Sequence, residues 1–301
     1  MELKFIGLGK MGHNLALNAI DKGHNVLGFD ISADSRNNAK NLGINVVETL
    51  EDLLKERNGK RIVFLSVVSG NPTNELIKQL SVMLDAGDIV IDSGNSNFND
   101  SVSNYKMLKE KSIDFLDCGT SGGISGARNG ACLMIGGDAD VYAEVEPFFE
   151  SVAIKDGCLY TGEAGSGHYL KMIHNGIEYG MMQAIGEGFD ILNESEFNYD
   201  YEKVAKVWNH GSVVRSWLME LAEEGFKDDK HLDKIEGVID ASGEAKWTVQ
   251  EALRLNIPAP VITTSLYVRN ASKITNSFSN RVVAILRHGF GGHAVTYRKD
   301  N

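Results

Sequence analysis

The sequence predicts an α/β protein: a doubly wound, mainly parallel sheet followed by an all-helical C-terminal domain. Two observations carry this prediction. Apolar strand-like segments alternate with helix-like segments up to about residue 150, and from about Ser166 onward only helical patterns remain. The 301 residues suffice for two domains of ~100–200 residues each. Glycines at 162, 165 and 167 indicate a boundary, so we expect domains at 1–164 and 165–301.

The first strand–turn–helix–strand unit carries a dinucleotide-binding motif. The strand Leu3–Ile6 leads into Gly7-x-Gly9-x-x-Gly12, and the second strand ends at Asp30. The first glycine permits a tight bend, the second lets the backbone approach a pyrophosphate, and the third lets the helix pack on the strand. The helix N-terminus supplies N–H groups for the anion. This context predicts a Rossmann-like domain.

Asp30 indicates which dinucleotide binds. A carboxylate at this position accepts hydrogen bonds from ribose hydroxyls and repels a 2′-phosphate, and the next residues, Ile31 and Ser32, offer no cation. Arg36 is expected to lie too far along the next helix to be the obvious phosphate partner. We therefore predict NAD over NADP. The expected cofactor-binding residues are Gly7, Leu8, Gly9, Lys10, Met11, Gly12, Asp30, Ile31, Ser32, Val67, Val68 and Asn95.

The alternation continues through the rest of the first domain. Ligands bind beyond the carboxyl ends of parallel strands, which is why Val67 and Val68 are included among the cofactor residues. Two loops rich in small polar residues, 93–96 and 119–127, follow later strands at the same edge. Each alone is equally consistent with a flexible glycine loop, but together they suit a polyhydroxylated or acidic ligand. The expected strands are Arg61–Val67, Asp88–Asp92, Ile113–Asp117 and Ala131–Ile135, with helices near 50–57, 72–84, 99–111 and 138–150.

The segment GSGHYLKMIHNGIEY, residues 165–179, places Lys171, His174, Asn175 and Glu178 on one helical face within an arc of about 100°. A solvated polar stripe is the common alternative. Here the other faces are apolar or small, which is typical of a buried helix, so the polar strip is expected to line a cleft as an active site. The apolar flank is Leu170, Ile173, Ile177, Met181 and Ile185; the opposite side is Tyr169, Met172, Gly176 and Gly180.

The second domain is expected to contain six helices. The tail after Arg287 places two glycines and a phenylalanine between basic residues, ending at His293. A chain end that merely frays does not require these residues, so the composition favours a specific role for the tail. Terminal disorder is the alternative. The expected helices are 166–193, 200–208, 215–224, 244–256, 260–278 and 281–287.

Bulk composition excludes several functions. The net charge of −11, without a basic run, disfavours nucleic-acid and membrane-surface binding. Cys118, Cys132 and Cys158 lack metal-ligand or CxxC spacing and are expected to be small buried hydrophobes in a reduced compartment. No metal site is expected. There is neither room for a signal peptide before the first strand nor an apolar stretch near ~18 residues, so we predict a cytoplasmic protein.

Several motifs together resemble the decarboxylating 6-phosphogluconate dehydrogenase family, within the 3-hydroxyacid dehydrogenase superfamily. They are GLGKMG, DSGNS, SGGISGARNGACLMIGG, GSGHYLKMIHNGIEYG, the AKWT segment and RHGFGGH, and they run along nearly the whole chain. The KMIHNGIEYG block is highly specific, whereas the glycine turn is shared by many dehydrogenases. The chain is similar to the short bacterial form, which lacks the second set of C-terminal helices.

The resemblance implies that NAD oxidises 6-phosphogluconate at C3 and that CO2 is lost to give ribulose 5-phosphate, a pentose phosphate reaction. It implies Lys171 as general base and Glu178 as general acid, with His174 and Asn175 orienting the substrate. The sugar acid would be held by Asn95, Ser121, Gly122, Gly123 and Tyr179, and its phosphate by Arg269, Arg287 and His293.

One departure concerns the phosphate site. Four residues before Lys246, where the longer members of the family have a lysine, this chain has Ser242. In the family the tail reaches a neighbouring subunit's site, which implies a homodimer or homotetramer. Two alternatives stay open: a related dehydrogenase for an unphosphorylated sugar acid, and a non-catalytic NAD-sensing module.

Overall fold

The computed structural model describes residues 1–55, 59–241 and 243–297. The chain divides into two compact units, Met1–Asn175 and Gly176–Asn301. The first unit holds one sheet flanked by helices, and in the described part of the second the regular elements are all helices. The predicted fold class, a Rossmann-like sheet followed by a helical region, is thereby confirmed.

The sheet has eight strands in the order β3-β2-β1-β4-β5-β6-β7-β8. All neighbours pair in parallel except β6 and β7, which are antiparallel. The strand order reverses between β1 and β4, and ligands of doubly wound sheets bind at such a switch point. The strands are β1 Glu2–Ile6, β2 Asn25–Phe29, β3 Asn45–Val46, β4 Ile62–Leu65, β5 Ile89–Asp92, β6 Asp114–Ser121, β7 Ala131–Gly137 and β8 Ala153–Gly162.

Alternate strand residues feed two cores, because side chains of a strand point to opposite faces. Phe5 and Phe64 stack in one core at 4.8 Å between ring centroids. Ile6, Val63 and Leu65 belong to the other. Such near-continuous apolar strands are what a sheet covered on both faces requires. The helices of the first unit are α1 Lys10–Asp21, α2 Ala33–Asn41, α3 Leu50–Lys55, α4 Asn71–Leu80, α5 Phe98–Lys109, α6 Gly123–Asn129 and α7 Ala139–Val152.

The structure corrects several predicted boundaries of the first unit. The strand expected to end at Asp117 runs on to Ser121, so most of the expected 119–127 loop is strand β6 and helix α6. The backbone of 118–121 continues the strand by pairing with 132–135 of β7. Period-two hydrophobicity could not show this, since glycine, threonine and serine carry little apolar signal. Strands β3 and β8 were also missed. Helix α2 was expected after Asp30, although without bounds, and residues 56–57 of the expected 50–57 helix lie outside the described residues.

The long helix α8, Ser166–Asn193, begins in the first unit and ends in the second, and its bounds match the prediction. In the second unit, two small clusters are built around Tyr179 and Phe189 of this helix. The following helices are α9 Tyr201–Asn209, α10 Trp217–Asp228, α11 Glu244–Arg254, α12 Pro260–Ala271 and α13 Phe278–Gly291.

Helix α12 ends seven residues before the predicted 278, and the next helix begins earlier than expected. Ser277 caps α13 by accepting a hydrogen bond from the N–H of Asn280 at 3.1 Å. A serine N-cap starts a helix by satisfying an otherwise unpaired N–H. The apolar periodicity across 260–278 therefore concealed a break that the capping residue marks.

The expectation that α8 is buried nearly all round is only half right. The small-residue side does pack closely: a Cβ on Gly176 would lie 2.7 Å from Thr248 of α11. On the apolar flank, however, Leu170, Ile177 and Met181 are 38%, 52% and 43% exposed. Helix periodicity identifies an apolar flank but cannot say whether this chain itself covers it.

The cysteines are likewise only partly as expected. All three are free; Cys118 is buried, Cys158 is half-buried and Cys132 is exposed, which corrects the prediction that all are buried. Burial raises the pKa of the Cys118 thiol well above its ordinary value. Among the helices within the described ranges, none is long and apolar enough to cross a membrane.

Candidate active site

A cleft of about 300 Å³ opens in the first unit at the carboxyl edge of the sheet. It is bounded by the turn after β1 and the start of α1, by the turns after β4 and β5, and by one residue each of β6 and α6. This is the switch point of the strand order, where a dinucleotide is expected. Its lining residues are Gly9, Lys10, Met11, Gly12, Leu15, Ser66, Val67, Val68, Ser93, Gly94, Asn95, Thr120 and Ala127.

The glycine turn has the geometry that its motif predicts. Gly7 has φ of 93°, a conformation open mainly to glycine. A Cβ on Gly12 would collide with the backbone oxygen of Gly7 and lie 3.2 Å from Ser66, whereas a Cβ on Gly9 would meet nothing within 4 Å. Gly9 thus leaves open space where helix α1 presents its first N–H groups, a setting suited to a pyrophosphate.

Asp30 is held in position by two backbone N–H groups. Its Oδ2 accepts from Leu8 at 2.7 Å and its Oδ1 from Ser32 at 2.8 Å. Each carboxylate oxygen can accept more than one hydrogen bond, so both keep capacity for the two hydroxyls of a ribose. These two acceptor oxygens fit the adenosine ribose of a dinucleotide.

Arg36 lies closer to this loop than predicted. Its Nη1 donates to the backbone oxygens of Asp30 at 2.8 Å and Ile31 at 3.2 Å, and its Nη2 pairs with Glu48 at 2.9 Å. The prediction that Arg36 lies too far along the helix is therefore wrong about position, because the long side chain folds back from α2. Its Nη donors nevertheless have partners within the protein.

Four predicted site residues meet where α8 approaches β6. Lys171 and Asn175 are 5% and 9% exposed. The Nζ of Lys171 lies 3.5 Å from Nδ1 of His174, whose Nε2 lies 3.3 Å from the hydroxyl of Ser121. The same Nδ1 lies 3.0 Å from Oδ1 of Asn175. A buried amine, an imidazole, a hydroxyl and an amide can together orient a hydroxyl group and move its proton.

Helix α8 comes so close to β6 because Gly119 has no side chain. A Cβ there would lie 2.5 Å from Cβ of Lys171 and 2.8 Å from the backbone oxygen of Gly167. The next residue of the strand, Thr120, lines the cleft. The polar cluster of α8 therefore adjoins the proposed dinucleotide cleft within one compact unit.

Asn95 connects two edges of the cleft. Its side-chain amide donates to the backbone oxygen of Thr120 at 3.2 Å and accepts from the Thr120 N–H at 3.0 Å. Its φ of 53° is left-handed, which asparagine tolerates better than most residues. One amide N–H and one lone pair remain for a ligand.

Two glycines predicted to bind substrate form the junction of β6 and α6. Gly122 and Gly123 have φ of 106° and 59°, so the chain reverses sharply and presents backbone rather than side chains. The backbone conformation therefore accounts for glycine at both positions, since residues with a side chain rarely adopt such φ values.

In the second unit, Arg269 stacks on Tyr179. The guanidinium carbon lies 3.4 Å from the ring centroid, the geometry of a cation–π contact. Nη1 also lies 3.4 Å from the backbone oxygen of Asp240, to which it donates. Tyr179 is buried and Arg269 is half-buried. Two residues predicted to bind different parts of one substrate are thus in direct contact.

The remaining predicted residues are more dispersed. Glu178 is half-buried on α8, two turns beyond Lys171. Arg287 on α13 and His293 beyond it are exposed, and neither is part of the Arg269–Tyr179 stack. Ser242 lies outside the described residues, and Lys246 is exposed on α11.

Leu15 and Ser66 escaped the sequence prediction, whereas four further cleft residues were expected in ligand-binding loops but not assigned to the cofactor: Ser93, Gly94, Thr120 and Ala127. Ser66, Ser93 and Gly94 stand immediately beyond strands, a position that could have identified them. Thr120 was expected in the loop after the strand, but it belongs to strand β6 itself. Within the described ranges, no group of three or more His, Cys, Asp or Glu side chains could hold a metal ion.

Comparisons with protein families agree with this geometry. A family model described as the NAD binding domain of 6-phosphogluconate dehydrogenase matches residues 2–162, and one described as the C-terminal domain of that enzyme matches 167–289. A Haloferax volcanii protein named NAD(+)-dependent, decarboxylating 6-phosphogluconate dehydrogenase is 42% identical over the full length of both chains. A Bacillus subtilis protein, YqeC, to which the name 6-phosphogluconate dehydrogenase is given provisionally, is 49% identical over 98% of this chain and 99% of its own.

Solved structures extend the comparison. The 6-phosphogluconate dehydrogenase of Plasmodium falciparum, described in complexes with NADP+ and with 6-phosphogluconate, superposes with a TM-score of 0.83 at 30% identity. The match covers 100% of this chain and 67% of that one. A Mycobacterium tuberculosis 3-hydroxyisobutyrate dehydrogenase matches with a TM-score of 0.69 at 19% identity, over 95% of this chain and 99% of that one, and shares the fold.

Proposed function

Because this chain belongs to the 6-phosphogluconate dehydrogenase family, we propose that it oxidises and decarboxylates 6-phosphogluconate to ribulose 5-phosphate and CO2 while NAD is reduced to NADH. The observation that carries the proposal is a polar cluster beside the dinucleotide cleft, in which buried Lys171 and Asn175 meet half-buried His174 and Ser121. Residues 1–164 would supply the cofactor site, and residues 165–301 the substrate-binding and oligomerisation surfaces.

Lys171 is the proposed general base. A lysine accepts a proton only in its neutral form, and burial disfavours the charged ammonium, consistent with its 5% exposure. NAD, when bound, accepts the hydride from C3. Lys171 takes the proton of the C3 hydroxyl, and the ammonium so formed donates a hydrogen bond to the new C3 ketone. That bond stabilises the negative charge that develops on the ketone oxygen as CO2 leaves.

Glu178 is the proposed general acid. On one continuous helix it stands seven residues after Lys171, a rise of ~10 Å, which a short sugar chain can span. Loss of CO2 leaves an enediol that needs a proton at the former C2 of the substrate, which becomes C1 of ribulose 5-phosphate. The protonated carboxyl of Glu178 would deliver it. His174 and Asn175 would orient the hydroxyls, together with Asn95, Ser121, Gly122 and Gly123.

The phosphate would bind to Arg269, Arg287 and His293. Arg269 is the best supported of the three, because stacking on Tyr179 holds its guanidinium in place. The planar guanidinium can bind a phosphate through two hydrogen bonds. Tyr179 would thereby contact the same substrate. The exposed positions of Arg287 and His293 are consistent with a role at the site of a neighbouring copy.

NAD is the proposed cofactor because Asp30 is fixed where a 2′-phosphate would meet its charge. The Haloferax relative is named NAD-dependent, whereas NADP+ is described as the cofactor of the Plasmodium enzyme. The two relatives therefore differ in the cofactor that their names give. The cofactor site would comprise the Gly7–Gly12 turn, Asp30 with Ile31 and Ser32, Val67 with Val68, and Asn95.

We also propose that the enzyme works as a homodimer or homotetramer. Helix α13 buries none of its residues, although it carries several large apolar side chains. Phe278, Ile285, Leu286 and Phe290 are between 51% and 79% exposed. Contiguous exposed apolar surface of this kind marks an association surface.

A substrate panel tests the proposed function. NADH or NADPH formation is measured by absorbance with 6-phosphogluconate, gluconate and other aldonic acids, phosphorylated and unphosphorylated, each with NAD and with NADP. The proposal expects the highest kcat/KM for 6-phosphogluconate with NAD. A higher value for an unphosphorylated acid would identify the related dehydrogenase, and no turnover with any acid would favour a cofactor-sensing module.

A further inference from the structure

Asp117, a wholly buried carboxylate in the middle of β6, caps the start of α8 from a distant part of the chain. Its Oδ1 accepts from the N–H of Gly165 at 2.5 Å and its Oδ2 from the N–H of His168 at 2.7 Å. The first N–H groups of a helix have no partner within it, and a negative charge there interacts favourably with the helix dipole. The residues just before α8, from Gly162 to Gly165, include no serine, threonine, asparagine or aspartate to do this locally.

The next residues on the same face of β6 contact the next turns of α8. Residues two apart in a strand share a face, and two residues after Asp117 comes Gly119, against which the stem of Lys171 packs. Two further on, Ser121 meets His174. One strand face thus meets the first turn of the helix, then the proposed base, then the imidazole beside it.

Backbone packing keeps the start of α8 close to the sheet. A Cβ on Gly167 would lie 2.8 Å from both the backbone oxygen of Asp117 and the N–H nitrogen of Gly136. A Cβ on Gly136 would lie 2.7 Å from Oδ1 of Asp117. The glycines set how near the helix lies, while the two hydrogen bonds of the carboxylate set its position along the strand.

We propose that Asp117 is a positioning residue: it fixes the register of α8 against β6 and thereby places Lys171 for proton transfer. The inference rests on the proposed catalytic role of Lys171. Asp117 acts only through the backbone of Gly165 and His168. A displacement near 1 Å at a reacting group can lower turnover ~100-fold, so a cap that controls register has a kinetic effect separable from stability.

The test compares Asp117→Asn with the wild type. An asparagine has the same shape, but its NH2 group would face one of the two backbone N–H groups. We expect kcat with 6-phosphogluconate and NAD to fall at least ~10-fold, because a shift well under 1 Å suffices for that loss. NAD affinity by fluorescence titration should change less than ~2-fold, since Thr120 is the one cleft residue on β6 and the other lining residues belong to other elements. Amide hydrogen exchange of 165–171 should accelerate.

Asp88→Asn is the matched control. Asp88 is equally buried, but it stands just before β5, at the amino end of the strands, away from the cleft. There it binds Arg61, the residue just before β4. This variant should lose stability while keeping the wild-type kcat and wild-type exchange of 165–171. Should Asp117→Asn fail to fold, Gly119→Ala tests the same register, because its Cβ would press on Lys171. It is expected to lower kcat at least ~10-fold with NAD affinity retained.

Three results would overturn the inference: wild-type kcat in folded Asp117→Asn, an equal fall of kcat in Asp88→Asn, or wild-type kcat in Gly119→Ala. A wild type that oxidises no aldonic acid would instead reject the proposed function. The exchange measurement then still decides on Asp117, because unchanged protection of 165–171 in Asp117→Asn would show that it does not hold the helix.

Discussion

At the scale of single residues, the side chain of Lys171 has two parts with different surroundings. Its stem packs against Gly119, and its Nζ lies 3.5 Å from the ring of His174. A methionine preserves most of the stem and removes the amine. The consequences of Lys171→Met therefore separate chemistry from packing.

We expect Lys171→Met to lower kcat by at least ~10²–10⁴-fold, the usual worth of general acid–base catalysis. NAD affinity should stay within about twofold of wild type, as measured by fluorescence titration beside an NADH absorbance assay. Lys22→Met, at an exposed lysine just after α1, is the matched control and should behave as wild type. An equal loss of NAD affinity and turnover in Lys171→Met would make the lysine structural.

The proposed preference for NAD also depends on single residues. We expect Asp30→Asn to lower the ratio of kcat/KM for NAD to that for NADP at least ~10-fold, about 1.4 kcal/mol, because a 2′-phosphate would no longer meet a carboxylate. Adding Glu48→Gln should lower the ratio further, since it releases Nη2 of Arg36 from its ion pair.

Glu48→Gln alone is the control for this pair of variants. Asp30 remains in it, so the ratio of kcat/KM values should stay close to that of the wild type. Stability should also change little, because Glu48 is largely solvent-exposed and exposed ion pairs contribute little to stability. Steady-state kinetics with both cofactors measures the ratio. An unchanged ratio in Asp30→Asn would show that Asp30 does not select between them.

At the scale of elements, α8 shows how far periodicity leads. Its bounds and its polar strip could be predicted, because Lys171, His174, Asn175 and Glu178 recur at helical spacing. The exposure of Leu170 and Ile177 could not, because an apolar flank looks the same in sequence whether it meets this chain or another copy. The close approach of β6 also escaped, since the strand carries glycine and serine where apolar residues would have marked it.

Helix α13 yields an element-scale prediction about assembly. We expect Ile285→Asp to shift the protein toward smaller species in sedimentation velocity, because a carboxylate would have to be buried at an apolar interface, which costs several kcal/mol. Asn280→Asp adds the same charge at an exposed polar position of this helix and should leave the distribution unchanged. A wild type that sediments as a fully active monomer would contradict the proposed assembly.

At the scale of the whole molecule, the fold class follows from sequence more directly than the site does. Alternating strands and helices with one glycine turn suffice for a doubly wound sheet and a dinucleotide cleft, and the structure has both. The site needs contacts between residues far apart in sequence, such as Asn95 with Thr120 and Arg269 with Tyr179. Motif spacing and helix or strand periodicity do not predict these pairs.

Net charge constrains how the substrate reaches its site. The chain carries −11, and a phosphorylated sugar acid is itself an anion, so long-range attraction cannot capture it. In the proposed site, capture would depend on local donors: the guanidinium of Arg269, the N–H groups at Gly122 and Gly123, and the amide of Asn95. We therefore expect the protein to attract this substrate only at short distance from the site.

The central claim is that one site couples oxidation at C3 to loss of the neighbouring carboxyl group. The most direct measurement follows NADH by absorbance and labelled CO2 from 6-phosphogluconate carrying ¹⁴C at C1, in the same reaction with purified protein and NAD. The account predicts that NADH and labelled CO2 form in equal amounts throughout the time course. NADH formed without release of labelled CO2 would contradict it.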